Sequence, residues 1–582
     1  MQVRNDKNGI SVNAIAGTYV VFFGLDATPE ARRNLLGFAF RRLDHTEEGQ
    51  NGWDRWLRTA KVFESVVPDP DRDDDYPSNV HPIQNFVWSD YAAKEGHNYT
   101  YFIHPVYGPF EQRMLGDPVE INIDTEESDD GVHAVFFNRG AVASQAYMKK
   151  FRTSLRPPEP DNWEHPQTKW LSRGLLEALH DFIADAKEGD ALRVAAYEFH
   201  YTPVLQFLKD AQAVRKVDVK IAYEAGQGPV YTKKNGVSVK TIEDTEATAA
   251  NKDALALPGF AFEAGTLIPR TKRTAIPHNK FIVKLRGGKP VQVWTGSTNF
   301  SMSGFLGQSN VGHLVRDEGV AKQFLDYWTF LASDPEPDAF KAWTKQNSPD
   351  PNADLPQGTT TLFSPRKGAK MLNWYAARAV ERDKAWLFTA AFGLNAATNP
   401  LHAKLTEPRD HLRFIVMEND DKNIVPGLFR HDPNISVAVG AVLGRDGRQR
   451  DIPGWDLQNW HKEIHFRGTK GHVFYIHQKF LVVDPLGDDP LVLAGSANFS
   501  PNSLTANDEN MLLIRGDQRV AHIYFTEFDR LFRHFKYRNA ANADDGGSVT
   551  ADEGRFLKDT DEWTEKHFRQ DSYQSKRRLM FR

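Results

Sequence analysis

Two stretches of the chain set the same polar residues around short apolar runs. Residues 278–301 read HNKFIVKLRGGKPVQVWTGSTNFS, and residues 477–500 read HQKFLVVDPLGDDPLVLAGSANFS. One offset of ~199 residues aligns His278 with His477, Lys280 with Lys479, Gly296 with Gly495, Ser297 with Ser496 and Asn299 with Asn498, which marks an internal repeat. Side chains two apart on a strand share a face, so each His projects beside its Lys. The second strand of each copy ends at Gly-Ser, where Gly lets the backbone turn closely and the following Ser and Asn add a hydroxyl and an amide. The segment NFS is placed to cap the next helix, which gives Asn498 and Ser500 a partly structural role. Such a set suits a phosphodiester. The ammonium and small donors neutralise the non-bridging oxygens as charge builds, without a metal. A neutral His can attack phosphorus while a second, protonated His protonates the leaving oxygen. One His per copy meets that need if the shared site pushes the two imidazoles away from a common pKa of about 6.5, toward opposite protonation states. A lone His in an apolar strand is ordinarily a hydrogen-bonded core residue; two with identical partners point to chemistry.

The elements that must position these residues also repeat. RGLLEALHDFIADAKEGD has helical periodicity and leads into the strand-like ALRVAAYEF, and KGAKMLNWYAARAVERD leads into KAWLFTAAF, each pair preceding its own motif. Apolar strands alternating with helices imply two pseudo-symmetric α/β lobes, each a mixed sheet flanked by helices. Upstream, alternating runs such as YTYFIHPVYG and PVEINIDTE between Gly, Pro and Asp read as an antiparallel, sandwich-like domain. The expected organisation is an N-terminal β-rich domain over 1–155, a linker over 156–167, a first lobe over 168–340, a linker over 341–358, a second lobe over 359–540, and a solvated helical tail over 541–582.

Composition narrows the classes. The chain has 582 residues, with 40% hydrophobic and 12% aromatic content, which argues for folding throughout. A formal net charge of -5 gives no global pull toward nucleic acid or anionic lipid. The absence of cysteine excludes disulfides, thiolate metal sites and a Cys nucleophile. The N-terminal stretch lacks a signal-peptide pattern and no run of about 18 apolar residues occurs, so a cytoplasmic location is the default expectation.

HQKFLVVD…GSANFS resembles the H-x-K-x4-D…G-S-x-N motif of the phospholipase D superfamily, and two copies resemble its pseudo-dimeric single-chain members. The resemblance spans roughly residues 165–540. It implies a covalent phosphohistidine on one His and acid-base work by the other, carried by His278, Lys280, Ser297 and Asn299 with His477, Lys479, Ser496 and Asn498. Gly296, Gly495, Asp484 and Glu509 would support them. The family's order makes His278 the nucleophile and His477 the acid. Leu285 stands where the first copy would carry the motif Asp, although members such as tyrosyl-DNA phosphodiesterases also lack it. Glu509 lies where relatives carry an acid that orients a motif His; Ser309 stands at the matching place in the first copy, so His477 is expected to be the better oriented of the two.

The resemblance therefore implies a metal-independent phosphodiesterase with no cofactor, acting on phospholipid head groups and meeting membrane lipid peripherally. The alternatives are a nuclease or DNA-end-processing enzyme, supported by GSxN in both copies, and a non-catalytic phosphate-binding protein with a degenerate first lobe. Three other features are set aside. The run PDPDRDDDY over 68–76 lacks EF-hand spacing and reads as a solvated loop. HKEIH places His461 and His465 one helical turn apart but lacks the H-E-x-x-H order, so no metal site is assigned. The basic PRTKR over 269–273 reads as a loop, with phosphate contact as the alternative.

Overall fold

A computed structural model describes residues 1–70, 74–140, 144–153, 156–234, 237–272, 274–351, 355–381, 386–390, 399–419, 434–441, 475–542 and 556–582. Its organising feature is a pair of seven-stranded mixed sheets with one topology. In the first, the order across the sheet is His133–Phe137, Val311–Val315, Lys289–Gly296, Lys280–Arg286, Asp190–Ala196, Asp218–Glu224 and Leu267–Arg270. In the second it is Gly358–Ser364, Glu509–Arg515, Leu491–Gly495, Phe480–Val483, Trp386–Ala390, Arg413–Asn419 and Ile435–Ala441. The sense of pairing also matches strand for strand. The motif strands run antiparallel to their neighbours, and the last three strands of each sheet run parallel. The motif strands are buried along almost their whole length, which explains runs such as FIV and FLVV.

The first sheet borrows its edge strand. His133–Phe137 lies within the stretch read as the N-terminal domain, yet it pairs with Val311–Val315 in the place that Gly358–Ser364 takes in the second lobe. Five residues are too few for their alternation to reveal which sheet they join.

The N-terminal region is built on two larger antiparallel sheets, beside the short pair Arg58–Thr59 and Tyr76–Pro77. One joins Gln2–Lys7, Ile10–Ala16, Val21–Ala27 and Val87–Asp90; the other is built on Leu35–Asp44 and Asn98–Tyr107. Phe23, Phe38, Phe40, Tyr99 and Tyr101 fill the core between them. The helix Gln518–Asn542 packs under the second sheet and against Ile10–Ala16, so a single apolar cluster joins the sandwich to both lobes.

Two loop readings are corrected. The first linker is followed by an unpredicted helix, Pro166–Ser172, and the stretch between the lobes holds the helix Pro337–Asn347, whose Phe340 is fully buried. The described residues of the tail, 556–582, are not a solvated helix but pack back onto the fold. Trp563 enters the sandwich core and donates from Nε1 to the Leu35 carbonyl at 2.7 Å. Phe581 packs among Phe22 and Phe525, and its carbonyl accepts from Asn13 Nδ2 at 3.0 Å. Burying two such rings offsets several kcal/mol of ordering cost, at roughly 25 cal/mol per Å2 of apolar surface.

Candidate active site

The two motif histidines meet where the lobes join. Pro277 bridges in parallel to Asp508, and Ser309 to Ile476, so each lobe hands a short backbone segment to the other. His278 N donates to the Asp508 carbonyl at 3.0 Å, and His477 N donates to the Ser309 carbonyl at 3.2 Å. This pseudo-twofold pairing brings the ring centroids of His278 and His477 to 6.3 Å, with their planes at 77°.

Each imidazole is held by a side chain from the opposite lobe. His278 Nδ1 lies 2.9 Å from Glu509 Oε2 and 3.0 Å from Oε1. His477 Nδ1 lies 2.9 Å from Asn310 Oδ1. Glu509 therefore orients His278 and not His477. The error in the sequence alignment is one residue: the ~199 offset that aligns the other landmarks matches Glu509 to Asn310, while Ser309 donates its hydroxyl to the Tyr475 carbonyl at 2.9 Å. The two halves thus have the same geometry and different chemistry, an ionisable carboxyl behind one His and an amide behind the other. With Nδ1 engaged, Nε2 is the atom each ring offers to chemistry.

The lysines complete the set. Lys280 Nζ donates to its own motif's His278 carbonyl, and Lys479 Nζ does the same to the His477 carbonyl at 2.5 Å. Both motif lysines are buried, and Lys280 also lies 5.5 Å from the Tyr197 ring centroid. Burial comes first, and the two ammonium groups next, in driving both imidazoles well below the ordinary His pKa. Burial raises the Glu509 carboxyl to about 8, against the pull of Lys280 and of its Ser496 and Asn507 hydrogen bonds. An anion placed among these groups would reverse the balance, because its charge offsets the lysines and favours a proton on an imidazole.

Gly296 and Gly495 answer to one steric demand. A Cβ on Gly296 would stand 2.2 Å from the Val311 carbonyl, and one on Gly495 would stand 2.2 Å from the Asn510 carbonyl. Ser297 and Ser496 follow them and tie the strand ends together. Ser297 Oγ donates to Asn310 Oδ1 at 2.8 Å and accepts from Val311 N, and Ser496 Oγ accepts from Asn510 N at 3.0 Å. Both hydroxyls are thus already committed to the neighbouring strand. Asn299 and Asn498 are buried beside them, and Ser500 caps Pro501–Thr505 by accepting from Ser503 N.

Residues 401–532 match the family model described as cardiolipin synthase, PLD-like domain. That stretch of the second lobe carries a phospholipase D-like domain. No curated protein matches the chain. Among solved structures, it is 12% identical to phosphatidylserine synthase of Haemophilus influenzae Rd KW20, covering 62% of this chain and 85% of that one at a TM-score of 0.40. It is 23% identical to Nuc, a phospholipase D family member from Salmonella typhimurium, covering 27% and 86% at 0.20. Polyphosphate kinase from Porphyromonas gingivalis is matched at 12% identity and 0.35, covering 59% of this chain and only 43% of that one.

The phospholipase D motif Asp lies away from the site. Asp484 follows the strand Phe480–Val483 in a left-handed conformation, with its carbonyl accepting from Gly487 N at 3.1 Å. Seven residues of extended chain put it about 20 Å along the strand from His477. Its counterpart Leu285 belongs to the buried apolar cluster. The basic PRTKR stretch is a structural tie at its described residues. Arg270 Nη1 donates to Asp508 at 2.8 Å and its Nε to Asp334 at 3.1 Å, which braces the residue before Glu509. In the acidic run Asp75 pairs with Arg58. His461 and His465 lie outside the described residues.

Sequence reasoning missed Asn310, Asn510, Glu198 and Tyr197. Asn310 was signalled by the repeat offset. Asn510 sits at the lobe junction, where its Oδ1 accepts from Thr295 Oγ1 at 2.6 Å and its Nδ2 donates to Asn279 Oδ1 at 2.8 Å. No local pattern could reveal contacts between residues so distant in sequence. Among the described residues no helix is long and apolar enough to cross a membrane.

Proposed function

We propose that this protein is a phosphodiesterase of the phospholipase D type that works through a covalent phosphohistidine on His278, with phospholipid head groups as its substrate. The observation that carries the reading is the pairing of His278 and His477 across the lobe junction, with Glu509 behind the first and Asn310 behind the second. A carboxyl accepting the Nδ1 proton makes the opposite nitrogen more nucleophilic and stabilises the positive ring formed on attack. The amide behind His477 holds orientation without adding negative charge, which suits a group that must give up a proton.

Neutral His278 Nε2 forms the bond to phosphorus as the ester bond to the leaving oxygen breaks. His477 gives its Nε2 proton to that oxygen. Lys280 and Lys479 hold the non-bridging oxygens, with the amides of Asn299 and Asn498 alongside. His477 then takes a proton from water as the water attacks phosphorus, and the phosphorus–nitrogen bond breaks to restore His278. Substrate binding supplies the condition for His477 to be protonated, because the phosphate's charge offsets the lysines that otherwise oppose it.

Support for a phospholipid comes from the family model over the second lobe, described as cardiolipin synthase. The test is to offer phospholipid vesicles and, separately, single- and double-stranded DNA and RNA in EDTA, with His477→Ala as control. Head-group release alone upholds the reading. Cleavage of nucleic acid alone moves the substrate to nucleic acid, and loss of all turnover in EDTA contradicts metal-free chemistry.

A further inference from the structure

Glu509 has a task in the site, but a second buried acid, Glu198, does not. A carboxyl enclosed in a site that must receive an anion works against binding unless it does something specific. Glu198 follows the strand Asp190–Ala196 and is 3% exposed. Its position is set by backbone pairing: Phe199 bridges in parallel to Phe300, and both His200 N and Tyr201 N donate to the Phe300 carbonyl, at 3.2 and 3.0 Å. Asn251 braces the same turn, accepting from Phe199 N at 2.6 Å and donating to the Tyr197 carbonyl at 2.9 Å. That register lays Glu198 beside Asn299, and its carboxyl accepts hydrogen bonds from the Asn299 and Ser301 side chains with both motif lysines in electrostatic reach.

The second copy lacks this arrangement in its sequence. Ala196 pairs with Lys280 and Phe388 with Leu481; counting on along the sequence from the second pair matches Ala390 to Ala196 and Phe392 to Glu198.

We propose that Glu198 is a positioning residue that fixes the Asn299 amide so that it presents N–H, and not C=O, to the phosphoryl group, making the first lobe the fixed anchor of the substrate phosphate. The inference rests on the phosphodiester reading of the site. An amide that can rotate offers an anion either a donor or a repelling carbonyl; an acceptor bonded to its nitrogen removes the second choice. What matters is then the place of the acceptor oxygen and not its charge.

Two variants separate the possibilities. E198Q keeps an acceptor oxygen at the same reach and loses the charge, whereas E198D keeps the charge and withdraws the acceptor by one methylene. Affinity for inorganic phosphate by calorimetry, kcat and KM for head-group release, and the thermal midpoint are measured for both. The expected result is E198Q within about threefold of the parent, and E198D about tenfold weaker in phosphate binding and lower in kcat. In the N299A background neither substitution has a further effect. The proposal is overturned if E198D matches the parent while E198Q is lost, if both are equally impaired, or if both are silent. If the parent protein itself binds no phosphate and releases no head group, it is the phosphodiester reading that fails.

Discussion

Glu509 on the second lobe holds the Nδ1 of His278 on the first at 2.9 Å, so the residue that tunes one motif is supplied by the other. The reciprocal contact, Asn310 to His477, is equally short and uncharged. Each motif histidine is thus completed by the opposite lobe, and in the proposed mechanism the difference between a carboxyl and an amide gives two similar histidines different work.

Glu509→Gln should lower kcat by about 100-fold while leaving the fold intact, because the ring stays hydrogen-bonded but loses a neighbour able to ionise once the cationic intermediate forms beside it. The same change should stabilise the protein at neutral pH. Burial raises the Glu509 carboxyl to about 8 from an ordinary value near 4.5, so its stabilising protonated form is complete only below that ordinary value and is lost as pH rises toward 8. At pH 7 the carboxyl therefore costs about 3 kcal/mol, which glutamine removes. Thermal midpoints of parent and variant should differ at pH 7 and converge near pH 4.

Restoring the missing motif Asp should not help. Leu285→Asp places a carboxylate in the apolar cluster without a partner, and should cost at least ~3 kcal/mol of stability with no gain in turnover per folded molecule. Denaturant unfolding with active-site-normalised rates checks both halves. A rise in kcat would contradict the placement of this position far from the chemistry.

Acid should weaken the packing of the tail. Burial depresses His567 to about 3 and His522 to about 3, the one in the C-terminal tail and the other on the helix beneath the sandwich. A histidine depressed on folding gives its full stability above the unfolded pKa of about 6.5, and that stability drains as pH falls toward the folded value. At pH 5 each should cost about 2 kcal/mol. His567→Phe keeps a ring against Phe86 and Trp563 and should retain more stability than the parent at pH 5 than it does at pH 7. Thermal midpoints across pH 4 to 7 test this.

The sequence made the motif strands legible because their chemistry is local: His and Lys two apart, then Gly-Ser at a strand end, are patterns within a dozen or two residues. The exchange across lobes was not legible, since His278 and Glu509 are 231 residues apart and nothing in either segment names its partner. Asn310 shows a different limit. The repeat offset marked it, but aligning by local resemblance slipped the register by one residue and reversed which His has the carboxyl. The tail misled for another reason. Trp563 and Phe581 are spaced too widely for periodicity, and their burial depends on a sandwich more than 450 residues upstream.

The measurement that bears most directly on the two-histidine site is the location of the covalent intermediate. Rapid quenching of the His477→Ala protein with phospholipid, followed by peptide mass mapping, should show a phosphoryl adduct on His278, trapped because the group that activates water has been removed. An adduct on another residue, or none while turnover persists, would contradict the assignment of His278 as nucleophile.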